Sequence, residues 1–568
     1  MSYTILSVLF FPPLTFALWN LQCLLRNYRA AKSMDIPIII VLASGDNPVW
    51  ILLSTPVLLV LSFLFGEIDI VKYGKPGWES KNKYKMHEEL GDVVRQVSPG
   101  HNWLYVCNAE AVNEIFKRKE DFDRPPDFGA RCFWTQHIYR ADWQRQRKIT
   151  SAPFSDKNNA LVFSESLRQA REVLQFWKSD KKPITSTDTD TRTLSLHVLS
   201  GGGFGKSYSF QESGEKPEEG VEREIHMFNY RDSINLILEN CLLILVMGPR
   251  LLGYLSGLVG LPYIGSLARV GQATIDFKDH MTKMLVEEKA AISNGILRSP
   301  TITNSLIRAS QDNSATSGLT EDEIYGNIFV YNFAGYDTIA TTLNWALYLL
   351  AAHPEIQDWI SEEINEVLGD EDAENVDFRV VYSRLNRCLA VFYETVRLWN
   401  PLIGICKSTS LVPQRLTVGN KTIIIPPNTR IETISDTNDI QELDTQSNSR
   451  ISLESFKTFP KGSFIAWSEG STLSGQKVQP GGIHCSYDKL HRVEVVPNSG
   501  ETHQDTRERV KRVVNDNVVV LLLQMRERTK ERWAALGGGL EQSRLTAGCG
   551  SCFFGVKVSL QYLTSVNP

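Results

Sequence analysis

The stretch from Thr320 to Pro354 limits this chain more than any other. Apolar residues recur at helical spacing through Ile328, Phe329, Ile339, Leu343, Leu347 and Leu350, the pattern of one long helix. Thr320 followed by Glu323 predicts a capping box at its start, and His353-Pro354 predicts its end. At ~1.5 Å per residue such a helix is about 45 Å long. It crosses a whole domain, and other elements must wrap around it. Inside it stands FAGYDTIATT, residues 333–342. Gly335 costs about 1 kcal/mol in a helix interior. Threonine hydroxyls bond back to a carbonyl one turn earlier and weaken the regular ladder. Gly335, the acid Asp337 and the hydroxyls of Thr338, Thr341 and Thr342 leave two readings open. One is an ordinary buried kink; the other is a groove that binds a small polar ligand or relays protons.

The rest of the chain supplies mostly helix. EIQDWISEEINEVL, residues 355–368, is a clean amphipathic helix, and residues 108–122 have helical spacing. NWLYVCN (102–108) and KTIIIPP (421–427) read as short strands. TSTDTDTRT (185–193) reads as an exposed loop or a helix start. Residues 234–264 are unusually apolar, as a buried helix pair or a membrane-dipping entrance for substrate would be. In YETVRLWNP (393–401), Glu394 and Arg397 stand three apart on one helical face and can pair. On a surface such a pair means little; amid Leu389, Val391, Phe392, Val396 and Leu398 it would be a structural clamp.

The ends add membrane signals. Residues 1–23 carry no charge, and Arg26, Arg29 and Lys32 follow. An uncharged run of about 20 residues can span a bilayer, and the basic cluster keeps the remainder cytosolic. We therefore expect a transmembrane anchor at residues 1–25. A linker with a second apolar segment, lying at the membrane interface, is expected over 26–66. The net charge of −5 gives no footing for a nucleic-acid partner. Nine scattered cysteines make a poor disulfide framework and fit a reducing compartment. Cys549 and Cys552 have no second pair nearby, so we read them as incidental.

Taken together the motifs resemble the cytochrome P-450 heme-thiolate monooxygenases, in particular microsomal members from filamentous fungi. The long helix matches the family's oxygen-activation motif at Ala334, Gly335, Asp337 and Thr338. Glu394 and Arg397 match its Glu-x-x-Arg motif, and Trp143 and Arg147 match its Trp-x-x-x-Arg helix. FIAWSEG (464–470) resembles the approach to its cysteine loop. The resemblance implies a mainly α fold with small β-sheets, filling residues 67–530, with heme (iron protoporphyrin IX) between the long central helix and the cysteine-loop region. It implies that Asp337 and Thr338 deliver protons to dioxygen, that Ala334 and Gly335 line the cofactor, and that Trp143 and Arg147 hold its propionates. The implied partners are an NADPH-dependent reductase, O2 and a lipophilic small molecule met by residues 128–140, by 234–264 and near Phe333. The implied place is the endoplasmic reticulum membrane, spanned once, in fungal secondary-metabolite biosynthesis.

The pattern breaks where the iron ligand belongs. The family's thiolate pushes electron density onto iron and favours O–O cleavage. After WSEG this chain continues STLSGQKVQPGGIHC, with no cysteine at the expected place. Back-translated with permitted codons and read one base later, residues 470–489 become ARLCPGKRFSQVEFIAVMT, the missing loop and the helix after it. The cysteine codon then straddles Leu473 and Ser474, and the usual frame returns near Leu490. We expect two compensating frame changes over 470–489. Cys485 is a weak substitute ligand, with His484 beside it. Residues 436–456 lack the Trp and Pro of the family's meander, with Arg450 as its surviving arginine, and residues 531–568 form an atypical tail. Taken literally, the chain supports an alternative: a catalytically inactive, membrane-attached P-450-like protein.

Overall fold

The computed structural model describes residues 2–82, 85–123, 125, 145–146, 148–150, 156–179, 184–210, 228–240, 243–244, 247–258, 265–296, 301–311, 318–368, 378–382, 384–398, 404–434, 491–495, 502, 504–506, 508 and 523–527. They divide into two compact units. One holds the described residues up to 125 together with 404–434; the other holds those from 145 to 398 and from 491 to 527.

The first unit is organised by a six-stranded sheet. Its strands are β1 (Ile38–Ile40), β2 (Val93–Val97), β3 (Asn102–Val106), β4 (Phe122–Asp123), β5 (Gly404–Thr409) and β8 (Arg430–Ile434). They lie in the order β1-β2-β3-β8-β5-β4. The strand expected at 102–108 is β3, and all but Asn102 of its residues are buried. Helix Ala109–Lys117 follows, with Asn108 as its cap. The strand expected at 421–427 is β7 (Lys421–Ile425), paired with β6 (Gln414–Val418). Gly419, at φ 54°, opens the two-residue turn between them, where the twist of a hairpin needs a positive φ. The core gathers Leu104, Val106, Ile115, Phe122, Leu416, Ile425 and Ile431.

The N-terminal segment departs from expectation. The anchor expected at 1–25 is the first part of a longer helix, Ser2–Lys32, that runs on through Arg26, Arg29 and Lys32. Its far end is tied to the sheet: Asn27 Nδ2 donates to the Ser98 carbonyl at 2.9 Å, and Ala31 is buried. Among the described residues no helix is long and apolar enough to cross a membrane, so the spanning anchor is not borne out. The second apolar segment is helix Pro48–Phe65, capped by Asn47. One stripe of it, Trp50, Ser54 and Leu58, is buried, and Trp50 Nε1 donates to the Gly74 carbonyl at 2.8 Å. The opposite residues stay bare, up to Phe63 at 89% exposure.

The second unit is helical. Its helices include Asp156–Ser179, Thr187–Phe204, Tyr230–Glu239, Gly265–Ser293, Glu321–Ala352, Pro354–Leu368 and Asn386–Leu398. Strands β9 (His491–Val495) and β10 (Leu523–Glu527) pair antiparallel. The long helix runs over 32 residues, and both halves of the expected capping box are made. Residues 185–193 prove to be a helix start, with the Ser186 hydroxyl donating to Asp190 Oδ2 at 2.6 Å. Gly201 and Gly202 let helices Asp156–Ser179 and Thr187–Phe204 close on each other: a Cβ there would come within 2.7 Å of Glu165 and 2.6 Å of Val162. In the apolar 234–264 stretch, Ile234, Ile237, Ile244 and Leu252 are buried, whereas Tyr254 is exposed.

In the first unit Arg430, at 3% exposure, pairs with Asp46, donates toward His101 Nε2 at 3.1 Å and covers the Trp103 ring. Burial raises the Asp46 carboxyl, but Arg430, Ser44 and His101 outweigh it and hold the group below the usual carboxylate range. A depressed folded pKa gives stability that is present above the unfolded value and lost as pH falls through the folded one. Arg430→Met strands Asp46, whose side chain is 20% exposed, and should cost more than the about 1 kcal/mol of an exposed pair and less than the about 3–5 kcal/mol of a fully buried one. Acid unfolding, followed by tryptophan fluorescence below about pH 4, should lose its Asp46 component in that variant.

Candidate active site

The site is built around the middle of Glu321–Ala352, and each flank of this helix is engaged by a different neighbour. Glu323, Asn327 and Tyr331, spaced four apart, form one stripe. Arg145 pairs with Glu323. Gln146 Nε2 donates to Glu323 Oε1 at 3.0 Å, Asn327 Nδ2 donates to Gln146 Oε1 at 3.0 Å, and Tyr331 donates its hydroxyl to the Thr150 carbonyl at 2.7 Å. Arg145, Gln146 and Thr150 are thereby docked along the first turns of the long helix. Trp143 and Arg147, expected to hold propionates, lie outside the described residues, as do residues 128–140.

Asp337 sits on another flank, paired with Arg192 of helix Thr187–Phe204. Arg192 Nε also donates to Asp188 Oδ2 at 3.2 Å. Burial alone would lower the guanidinium, but Asp337 and Asp188 push it well above its usual value, so it stays charged. The residue-by-residue reading missed Arg192. Its signal was the i, i+4 spacing of Asp188 and Arg192, in a run that read as an exposed loop or a helix start.

Ala334 and Thr338 share the next face, each 2% exposed. The Thr338 hydroxyl donates to the Ala334 carbonyl at 2.7 Å, and Thr342 donates to the Thr338 carbonyl at 2.8 Å. Two consecutive turns thus carry a hydroxyl on a carbonyl, which loosens the ladder at Gly335. A Cβ on Gly335 would meet Leu199 at 3.5 Å, an ordinary contact. Helix packing therefore does not demand glycine here, unlike at Gly201 and Gly202.

Helix Asn386–Leu398 carries Glu394 and Arg397 and packs on the long helix. Glu363 caps it from outside: its carboxylate accepts from Arg387 N at 2.8 Å and Cys388 N at 3.1 Å. Phe392, Thr395 and Val396 are buried around Glu394. The Arg397 side chain, and with it the expected clamp, lies outside the described residues.

A heme is supported by these residues on one side only. Ala334 keeps one face of the helix narrow, and beside it Thr338 adds a hydroxyl that donates to the Ala334 carbonyl. The expected ligand position at Leu473 and Ser474, and Cys485, lie outside the described residues. Among the described residues no cluster of His, Cys, Asp or Glu could hold a metal ion. Cys388 is buried in an apolar core with Leu350 and Ile364.

Removing Arg192 strands Asp337, whose side chain is 18% exposed. Arg192→Leu should cost more than the about 1 kcal/mol of an exposed pair and less than the about 3–5 kcal/mol of a fully buried one. Urea unfolding measures it, and the double variant Arg192→Leu/Asp337→Leu should recover part of the loss.

A model of the cytochrome P450 family matches residues 69–435, a span that ends before the divergent 436–490 stretch. A cytochrome P450 monooxygenase of Arthrobotrys oligospora is 25% identical, with 89% of this chain and 94% of that protein covered. The phomenoic acid biosynthesis cluster cytochrome P450 monooxygenase of Leptosphaeria maculans is 25% identical, over 84% of this chain and 90% of its own. Among solved structures, the cytochrome P450DA heme domain has the same fold, at a TM-score of 0.58 and 14% identity, over 80% of this chain and 93% of that one. With an acid and a hydroxyl in the middle of a domain-long helix, and a family match over most of the helical and sheet framework, the chain belongs to the cytochrome P450 family of heme-thiolate enzymes and is similar to its fungal monooxygenases.

Proposed function

We propose that this protein inserts one oxygen atom of O2 into a lipophilic organic substrate in fungal secondary metabolism. The observation that carries the reading is the Asp337–Thr338 pair, with the acid fixed by Arg192 and the hydroxyl one residue on, against a carbonyl of the same helix. Heme, when bound, supplies the iron at which O2 is reduced. Thr338 holds a proton at its Oγ1 and hands it toward the oxygen. Asp337, released in part from Arg192, takes a proton from solvent water and passes it to Thr338 Oγ1. Ala334 leaves room for the flat group, Gly335 turns instead toward Leu199, and Trp143 and Arg147 hold its propionates. The name of the Leptosphaeria maculans relative supports a secondary-metabolite setting. An NADPH-dependent reductase supplies the electrons.

The bare apolar residues of helix Pro48–Phe65 and of the first helix, among them Phe16, Trp19, Leu59 and Phe63, favour attachment to the endoplasmic reticulum membrane. Apolar surface of this extent in water marks a contact site.

Two measurements test the reading. A CO difference spectrum of the full-length protein should show the red-shifted Soret band of thiolate ligation. Failure to take up heme, or a histidine-type band, assigns this chain to the inactive alternative and points to residues 470–489 as the cause. In the active protein, Thr338→Ala should divert O2 consumption from product to peroxide and slow product formation by about 10²-fold, the scale of a lost proton donor. Unchanged coupling removes Thr338 from the relay.

A further inference from the structure

Helix Tyr230–Glu239 is tied to the long helix by two reciprocal side-chain hydrogen bonds. Tyr230 donates its hydroxyl to Asn332 Oδ1, and Tyr336 donates its hydroxyl to Asn235 Oδ1. Asn332 is fully buried and donates its own Nδ2 to the Ile328 carbonyl at 2.9 Å. Tyr230 also stacks on Phe277 at 5.8 Å, and Phe277 meets Phe329 edge-on at 6.1 Å. Burial lifts both phenols well above their usual range, so both are neutral and donate.

These bonds are part of a larger figure. Arg231, the neighbour of Tyr230, donates Nη2 to Thr193 Oγ1 at 2.7 Å. Thr193 follows Arg192, and Arg192 holds Asp337. Asp337 follows Tyr336, which returns to helix Tyr230–Glu239 through Asn235. Three helices are therefore joined in a closed polar ring: Arg231 to Thr193, Arg192 to Asp337, Tyr336 to Asn235. At about 100° per residue, Asn332 and Tyr336 lie on the side of the long helix roughly opposite Ala334 and Thr338. The ring grips the back of the site and leaves its front free.

We propose that Asn235, Tyr336 and Arg231 are positioning residues that hold the Asp337 carboxylate in place through this ring, so that the seating of helix Tyr230–Glu239 sets the geometry of the proposed proton relay. No member except Asp337 belongs to the relay itself. A ring differs from a set of independent contacts: opening it at any one joint frees the others, because each joint is held in register by the next. The proposal rests on the relay reading for its consequence, but the ring can be tested without it.

The test uses hydrogen exchange by mass spectrometry on the full-length protein. Tyr336→Phe removes one hydroxyl and little volume. It should speed exchange by about fivefold, the worth of about one hydrogen bond, in both 230–239 and 335–342. Arg231→Met, at the far joint, should do the same, and the double variant should exchange no faster than the faster single one. Effects that multiply, or that stay within the helix carrying the substitution, overturn the ring. Should Arg231→Met misfold, Thr193→Val opens the same joint from its acceptor side and is read the same way. In heme-loaded protein, Tyr336→Phe should shift the pH profile of NADPH-driven O2 consumption in the same direction as Asp337→Asn. An open ring with an unmoved profile leaves a structural contact only and overturns the positioning role. A chain that takes up no heme fails the proposed function, while the exchange pattern still decides the ring.

Discussion

A helix of 32 residues with little charge beyond its first turn is stable only when other elements cover it along most of its length. The second unit is arranged to do this. Residues 145–150 take one stripe, helix Thr187–Phe204 takes another through Arg192 and Leu199, helix Tyr230–Glu239 takes a third, and helix Asn386–Leu398 with β9 packs elsewhere along it. The first three partners each engage a polar group of the long helix. That matters in energy terms: apolar packing sets that helices meet, while buried hydrogen bonds, costly to leave unmade, set the rotation and register at which they meet.

That division explains how an acid and a hydroxyl can be kept in place at a weak point. Gly335 and the back-bonded Thr338 and Thr342 soften the ladder. Left alone, the helix would fray or bend there. Instead the residues on both sides of Gly335 are fastened, Asn332 and Tyr336 to one helix and Asp337 to another. Glu363 does comparable work for helix Asn386–Leu398, supplying from outside the acceptor its first turn lacks. In the first unit, Arg430 and Asp46 fasten the segment ahead of the apolar helix Pro48–Phe65 to the sheet, so that what read as a linker is part of a folded unit.

Where reading the chain succeeded, the signal was local. The capping box at Thr320 and Glu323, the stop at His353-Pro354, the largely apolar strand at Asn102–Val106 and the hairpin strand at Lys421–Ile425 each depend on neighbours within a few residues. Where it fell short, the cause was tertiary. The Asp188–Arg192 run read as an exposed loop or a helix start with solvated charges, yet Arg192 turns to a carboxylate 145 positions away. The uncharged N-terminal run meets the rule of length for a span, and only the structure shows that beyond it Asn27 and Ala31 join the same helix to the sheet.

By itself the sequence determined the long helix and its ends, the presence of an acid, a glycine and a threonine at its centre, the mainly helical class and the family, because periodicity, capping and motif spacing are properties of short stretches. Only the tertiary structure decided which partner holds Asp337, that Tyr336 and Asn332 face helix Tyr230–Glu239 while Ala334 and Thr338 face away, and that one stripe of the second apolar segment is packed on the protein. Those outcomes turn on which side of a helix meets which neighbour. That is fixed by buried polar pairs between residues about a hundred positions apart, and no local pattern encodes their choice.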